Sequence, residues 1–210
     1  YGKARGLHGR TIGVLGLGRI GLAVIDRAQA FGMKVAVWSR SLTQDTADAI
    51  GVQRCETPLD LACIADVVSV HLAATPDTNG IVDAAFLDAM RPGSILVNTS
   101  RGTLVDETAL EAAITDKQLR VGLDVYADEP AAGEKTFGNS IAGAPGLCGT
   151  HHVAASTDQA QDAIASEAVR IIDCYQRSGE VLHCVNRASR TAAAMQLAVR
   201  HLNRPGVLSH

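Results

Sequence analysis

Residues 10 to 21 read Arg10-Thr-Ile-Gly-Val-Leu-Gly-Leu-Gly-Arg-Ile-Gly21, and the reading of this stretch decides the fold. The apolar run Thr11 to Leu15 leads straight into Gly16-x-Gly18-x-x-Gly21, and from Leu22 to Phe31 apolar side chains recur at helical spacing. The pattern is strand, glycine turn, helix. Gly16 permits a tight turn, Gly18 lets a pyrophosphate approach the backbone, and Gly21 lets the helix pack close to the strand. The helix N-terminus adds free N–H groups and the positive end of its dipole. In a chain with 20 glycines the fingerprint alone arises readily by chance, and the flanking strand and helix are what give it meaning.

Working outward, Gly32 ends the helix and Met33 to Trp38 forms a second apolar run, which completes a βαβ unit of about 30 residues. Its two strands must be parallel. Short helices are expected over Thr43 to Ile50 and Pro58 to Ile64, then a buried strand over Asp66 to Leu72. A helix over Val82 to Met90, a strand over Ser94 to Thr99 and a helix from Asp106 follow, and strands Leu119 to Val125 and Leu147 to Thr150 close the series. Ala127 to Gly146, rich in Gly, Pro and Ala, reads as a long loop. This alternation predicts an α/β fold, a Rossmann-type doubly wound parallel sheet in a three-layer α/β/α arrangement, with its ligand crevice at the strands' carboxyl ends. Asp158 to Arg177 is the longest helical segment, with Ala160, Ile164, Ala168, Ile171 and Cys174 on one face. Glu180 to Val185 and Met195 to Arg200 are expected as two further strands.

At 210 residues, 47% hydrophobic and 20% charged, the chain is able to bury a proper core. Its net charge of −3 offers no electrostatic footprint for nucleic acid or an anionic membrane. No apolar stretch approaches the roughly 18 residues of a membrane span and no signal-peptide core opens the chain, so cytoplasm is the expected compartment. Cys55, Cys63, Cys148, Cys174 and Cys184 are odd in number and contain no CxxC, which predicts reduced thiols packed as small apolar groups. Residues 1 to 9 read as a linker, and a chain that starts at Tyr1 is expected to be processed or part of a longer protein.

Strand ends in such a sheet point at the ligand, so the residues found there matter most. After the second strand, where Asp or Glu usually accepts from the adenosine ribose of NAD, stands Ser39-Arg40-Ser41. An arginine there suits the 2′-phosphate of NADP, or else begins a solvated loop, and the choice between NAD and NADP stays open. After the fourth long strand, Arg101 is either aimed into the crevice to hold a carboxylate or paired at the surface. Asp124, inside an apolar run, is costly unless paired. Glu129 follows five residues on, and both acids also read as ordinary loop residues. After the last strand come His151 and His152, either of which suits proton exchange near neutral pH. An extended segment would send these neighbours to opposite sides, and no further ligand lies at metal spacing, so no metal site is expected.

Together these segments resemble the nucleotide-binding domain of the D-isomer-specific 2-hydroxyacid dehydrogenases. The resemblance rests on Thr11 to Gly21, Asp66 to Leu72 with Thr75-Pro-Asp-Thr78, Arg91 to Gly102, Val121-Gly-Leu-Asp-Val125 with Asp128-Glu-Pro130, and His152-Val-Ala-Ala-Ser-Thr157. It implies an oxidoreductase that passes hydride between NAD or NADP and a D-2-hydroxy acid. Arg101 would bind the substrate, His152 would exchange the proton, and Glu129 would hydrogen-bond His152, an adjacent anion favouring imidazolium. Gly16, Gly18, Arg19, Ile20 and Gly21 would hold the pyrophosphate. Ser39 and Arg40 would meet the adenosine ribose, Thr99 and Ser100 the nicotinamide ribose, and Asp124 the nicotinamide amide, with Leu72 and Ala155 also at the cofactor. Where the family often has proline, this chain has His151. Leu197 to Leu208 resembles the opening of an ACT regulatory domain, which implies 3-phosphoglycerate as substrate, with glyoxylate or hydroxypyruvate as the alternative. The resemblance also implies a homodimer and four segments: a linker over 1 to 9, the dinucleotide-binding domain over 10 to 157, a return helix and strand of a substrate domain over 158 to 187, and a truncated ACT-like tail over 188 to 210. A catalytically silent dinucleotide-binding module, or a purely structural role, is the competing expectation.

Overall fold

The apolar run of the glycine stretch is β1 (Thr11–Leu15), the turn opens α1 (Arg19–Ala30), and the chain returns in β2 (Lys34–Trp38), parallel to β1 with Thr11 beside Lys34 and Leu15 beside Trp38. The computed structural model describes residues 6–129 and 138–184. After β2 come α2 (Gln44–Ala49), β3 (Gln53–Arg54), α3 (Pro58–Ile64) and β4 (Val67–Val70). They are followed by α4 (Ala84–Ala89), β5 (Ile95–Asn98), α5 (Glu107–Lys117), β6 (Arg120–Leu123) and β7 (Leu147–Gly149). Local chemistry sets the helix starts. Thr43, Asp83 and Asp106 each accept a backbone N–H of the first turn, and Thr57 forms a capping box with Asp60 around Pro58.

Among the described residues, seven strands lie in one sheet in the order β3-β2-β1-β4-β5-β6-β7, and every neighbouring pair is parallel. The chain winds outward from β1 to the β3 edge and then returns to the other side of β1, so a crevice opens at the carboxyl ends of β1 and β4. Side-chain alternation divides the core between the two faces. Ile12, Val14, Val35, Val37 and Val67 pack with Ile25 and Ala28 of α1 and Ala47 of α2. Leu15, Ala36, Val68, Val70, Leu96, Val121 and Leu123 pack with Leu61 of α3, Phe86 and Leu87 of α4, and Leu110 and Ile114 of α5. The expected three layers are therefore present, and burial of these apolar faces drives their assembly.

Three details differ from expectation. The sheet has a seventh strand, β3, whose two residues are polar and lie at the edge, so they carry no hydrophobic signal. The stretch 127 to 146 contains a 3-10 turn, Ser140–Gly143, because Ile141 is 1% exposed and anchors it in the core. Cys55, Cys63, Cys148 and Cys174 are free thiols, yet of these only Cys55 is buried, and burial followed by the charge of Asp60 pushes its thiol up to about 11. Cys63 and Cys148 are exposed.

The chain divides into two compact units, Tyr1–Ala154 and Ala155–His210, so the first ends three residues before the expected boundary at 157. In the second unit α6 (Asp158–Ser178) is capped by Thr157 at its start and by left-handed Gly179 at its end. Where a strand was expected from Glu180, residues 180 to 184 are irregular with a turn at Leu182 and His183, His183 having φ 55°, and His183 Nε2 lies 2.7 Å from Glu167 of the helix. The strand expected at Met195 to Arg200 and the ACT-like tail lie outside the described residues. No helix among the described residues is long and apolar enough to cross a membrane.

The tight loop from Gly16 to Gly21 generates a differential prediction. A Cβ on Gly21 would stand 2.5 Å from the Gly16 carbonyl oxygen, whereas one on Gly18 would meet nothing within 4 Å. Gly21→Ala is expected to lower unfolding stability by about 1 to 3 kcal/mol through overpacking. Gly18→Ala is expected to cost less than about 1 kcal/mol, the helix-cap preference alone. Urea unfolding midpoints of the two variants check the difference.

Candidate functional site

Gly16, at φ 106°, turns the chain away from β1, and its N–H donates to the Trp38 carbonyl at 2.8 Å. Gly18 is the residue before α1 and Arg19 and Ile20 open it, so the first N–H groups of a twelve-residue helix face the crevice. The crevice consists of two grooves. One, of about 290 Å³, is lined by Gly16, Gly18, Ser39, Arg40, Leu72 and Thr78 among others. The other, of about 390 Å³, is lined by Ile20, Leu72, Thr99, Ser100 and Arg101 among others. His71, Leu72 and Ala73 belong to both. An elongated ligand with a phosphate centre fits this shape: the space over Gly18 is clear of side chains, helix N–H groups lie beside it, and a groove leads off on each side.

The Thr99 to Arg101 turn is fixed by Asn98, fully buried at the end of β5. Its amide nitrogen donates to the Arg101 carbonyl at 2.8 Å, and its oxygen accepts from the Ser100 N–H at 3.0 Å. Ser100 Oγ donates to the Val70 carbonyl on β4 at 2.6 Å, which ties the turn to the neighbouring strand. Arg101 is exposed at the rim of the second groove. Its Nη1 donates to the Ser100 carbonyl at 2.6 Å, and the rest of the guanidinium is able to meet a carboxylate.

Asp124 follows β6 and is 4% exposed. Its carboxylate accepts from Thr150 Oγ1 at 2.5 Å and from the N–H groups of Val153 at 2.9 Å and Ala154 at 3.1 Å. Burial by itself raises its pKa, but these three donors and the nearby His152 outweigh burial and hold the carboxyl below its ordinary value. The Asp124 carbonyl in turn accepts the His152 N–H at 2.7 Å. One residue therefore pins the whole segment after β7.

His152 sits in that segment at φ 57°, a left-handed conformation uncommon for a residue with a side chain. Its Nδ1 lies 2.8 Å from Glu129 Oε2, and Glu129 Oε1 accepts the Tyr126 N–H at 3.1 Å. Burial tends to raise the Glu129 pKa, and the His152 and Tyr126 hydrogen bonds with the charges of His152 and Arg101 bring it below its ordinary value. The charge of Arg101 thus reaches the pair. Beside the pair lies a cavity of about 400 Å³ lined by Tyr126, Glu129, Gly149, Thr150, His151 and His152 among others. His151 and His152 line the same cavity, contrary to the expectation of opposite sides, because β7 ends at Gly149 and the left-handed turn at His152 breaks the alternation. Among the described residues no group of three or more His, Cys, Asp or Glu is arranged to hold a metal ion.

Of the residues singled out in the sequence, the first unit carries all but Ala155. Ala155 opens the second unit, where its carbonyl accepts from Gln161. Sequence reading missed His71, which stands at the junction of the two grooves with Nε2 2.8 Å from Ser69 Oγ, and burial pushes its pKa down. Its place just after β4 was the available signal. Thr150, Val153 and Ala154 were missed as partners of Asp124 because a pairing across 26 to 30 residues leaves no local pattern.

The family model described as D-isomer specific 2-hydroxyacid dehydrogenase, NAD binding domain, matches residues 2–154. A D-3-phosphoglycerate dehydrogenase from Mycobacterium bovis is 39% identical over 167 residues, which cover 79% of this chain and 30% of that protein. Among solved structures, apo D-mandelate dehydrogenase from Rhodotorula graminis superposes with a TM-score of 0.74 at 28% identity, over 83% of this chain and 50% of the other. An NADPH-dependent glyoxylate/hydroxypyruvate reductase from Sinorhizobium meliloti, in complex with NADP and malonate, superposes with a TM-score of 0.71 at 31% identity, over 83% and 52%. The matched stretches thus span 30 to 52% of the lengths of these three proteins.

The Asp124 cluster makes stability pH-dependent. Because the folded state depresses its pKa, the stabilisation is present above the ordinary value of 3.8 and is lost as pH falls through the lower folded value. Asp124→Asn is expected to lose roughly 2 kcal/mol at neutral pH, the scale of hydrogen bonds to a charged group. Its stability gap from the unaltered chain is expected to narrow below pH 3.8, as urea unfolding at a series of pH values reads directly.

Proposed function

The chain belongs to the D-isomer specific 2-hydroxyacid dehydrogenase family, and on that premise we propose that it binds a nicotinamide dinucleotide along the two grooves and serves hydride exchange with a D-2-hydroxy acid. One observation supports the reading: Glu129 and His152, which follow β6 and β7, are paired at 2.8 Å, and the charge of Arg101, which follows β5 and lines the second groove, reaches that pair. Bound dinucleotide supplies the two-electron acceptor or donor. Arg101 pairs with the substrate carboxylate and fixes its orientation. Nδ1 of His152, donating to Glu129, leaves Nε2 to take the hydroxyl proton as the alcohol is oxidised and to return it in the reverse direction. Glu129, held by the Tyr126 N–H, fixes the ring and stabilises the imidazolium that forms. Ser39 and Arg40 hold the adenosine ribose, Thr99 and Ser100 the nicotinamide ribose, and Asp124 the carboxamide.

The Mycobacterium bovis relative favours 3-phosphoglycerate as the substrate, oxidised to 3-phosphohydroxypyruvate, and the Sinorhizobium meliloti structure keeps glyoxylate and hydroxypyruvate as the alternative. We also propose that residues 1–9 are a linker, 10–157 the dinucleotide-binding domain, 158–187 a return helix and strand of a substrate domain, and 188–210 an ACT-like segment. A homodimer follows from the family, and the free thiols of Cys55, Cys63, Cys148 and Cys174 suit the reducing cytoplasm. A second reading is a silent dinucleotide-binding module, because the two grooves are lined without Glu129 or His152.

The test is NADH fluorescence titration of this chain together with turnover of a panel of 2-hydroxy acids. Saturable binding with turnover supports the dehydrogenase, binding alone supports the silent module, and no binding rejects both. In the active protein, His152→Ala is expected to lower kcat at least ~100-fold, as loss of a general acid–base does. NADH affinity should stay within about twofold, because His152 lines neither groove and its loss spares the phosphate-binding N–H groups.

A further inference from the structure

The first groove is bridged at its mouth. Arg40, in the turn after β2, reaches across to the loop after β4, where its Nη1 lies 3.1 Å from Asp77 Oδ2. Arg40 is the one lysine, arginine, aspartate or glutamate in the lining of that groove. The loop that presents Asp77 is firmly built. Thr78 is 4% exposed, its Oγ1 donates to the Ala73 carbonyl at 2.7 Å, and the same oxygen accepts the Thr75 N–H at 2.9 Å. Thr78 and Asn79 N–H groups both donate to the Thr75 carbonyl at 3.0 Å. Asp77 therefore stands at a fixed place beside Arg40, while both side chains stay open to water at 66% and 75% exposure.

The turn after the second strand is where this fold meets the adenosine ribose. A 2′-phosphate there seeks a guanidinium and avoids a carboxylate, whereas a neutral 2′-hydroxyl carries no charge for a carboxylate to repel. Resting on the dinucleotide reading above, we propose that Asp77 is a specificity-determining residue: by holding Arg40 and setting a negative charge beside the ribose subsite, it biases the groove toward NAD over NADP. Arginine alone would suit NADP. The Arg40–Asp77 pair cancels that preference, and since the pair is exposed it is a weak latch that a single substitution opens.

Fluorescence titrations of NADH and NADPH against the unaltered chain, Asp77→Asn, Arg40→Ala and the double variant test this. Asp77→Asn is expected to tighten NADPH roughly five- to tenfold, the effect of removing one unit charge near a phosphate in water, with NADH within about twofold. The gain should shrink in 0.5 M salt, about five times the ionic strength at which the Debye length is ~10 Å. Arg40→Ala in the Asp77→Asn background should abolish the gain. Asn at 77 keeps the loop's size, and the NADH affinity of the same sample confirms an intact groove. NADH binding with an unchanged NADPH to NADH ratio in Asp77→Asn, or a gain that survives Arg40→Ala, would overturn the role of Asp77 and leave the dinucleotide reading standing. Binding of neither nucleotide by the unaltered chain would overturn both.

Discussion

The Asp124 carboxylate is the constraint on which the candidate site depends. A buried anion is tolerated only when fully hydrogen-bonded, and here the required donors come from one short segment after β7: a hydroxyl and two consecutive N–H groups. Satisfying Asp124 therefore dictates the path of residues 150 to 154. That path forces His152 into the left-handed region and turns its ring toward Glu129. The strain of a non-glycine residue at positive φ is offset by the donors locked around Asp124 and by the His152 N–H bond to its carbonyl.

A second layer of support comes from the neighbouring strand ends. Asn98 is buried and spends its amide on the turn that carries Ser100 and Arg101, and the Asn98 carbonyl accepts the Asp124 N–H. The Arg101 turn and the Asp124 cluster are thus joined through backbone at the ends of β5 and β6. Glu129 is fixed independently, by Tyr126 behind it. Arg101, Glu129 and His152 are exposed, while Glu129 accepts a backbone N–H and the backbone of Arg101 and of His152 is bonded to buried Asn98 and Asp124, an arrangement that suits groups to be oriented for a substrate.

The two grooves obey a different logic, that of topology. Because β4 returns beside β1 rather than beside β3, the loops after these two strands separate and leave space between Gly16 and His71. Close packing then finishes the shape: Gly21 lies against the Gly16 carbonyl, and the Thr78-bound loop after β4 forms the far wall. Charge is distributed sparingly along this surface. The Arg40–Asp77 bridge places opposite charges at the groove mouth, so its net field there is small even though it contains an arginine.

Much of this was legible in the sequence. The glycine turn between an apolar run and a helical pattern fixes strand, turn and helix locally, and repeated alternation of the two patterns leaves a doubly wound parallel sheet as the economical fold. Strand ends followed as the places to look, which brought Arg101, Asp124, Glu129 and His152 forward. The polar edge strand at Gln53 and Arg54 left no such pattern, since two residues paired on one side need no apolar faces. Partnership was the other thing composition and spacing did not carry. That Asp124 is satisfied by Thr150, Val153 and Ala154, that both histidines face one cavity, and that Arg40 reaches Asp77 are contacts between residues 26 to 37 positions apart, or consequences of one backbone dihedral. Periodicity and turn chemistry are short-range and are written in neighbouring residues, so the sequence alone determined the elements and their order. Which charge meets which depends on how those elements pack, and only the tertiary structure decided it.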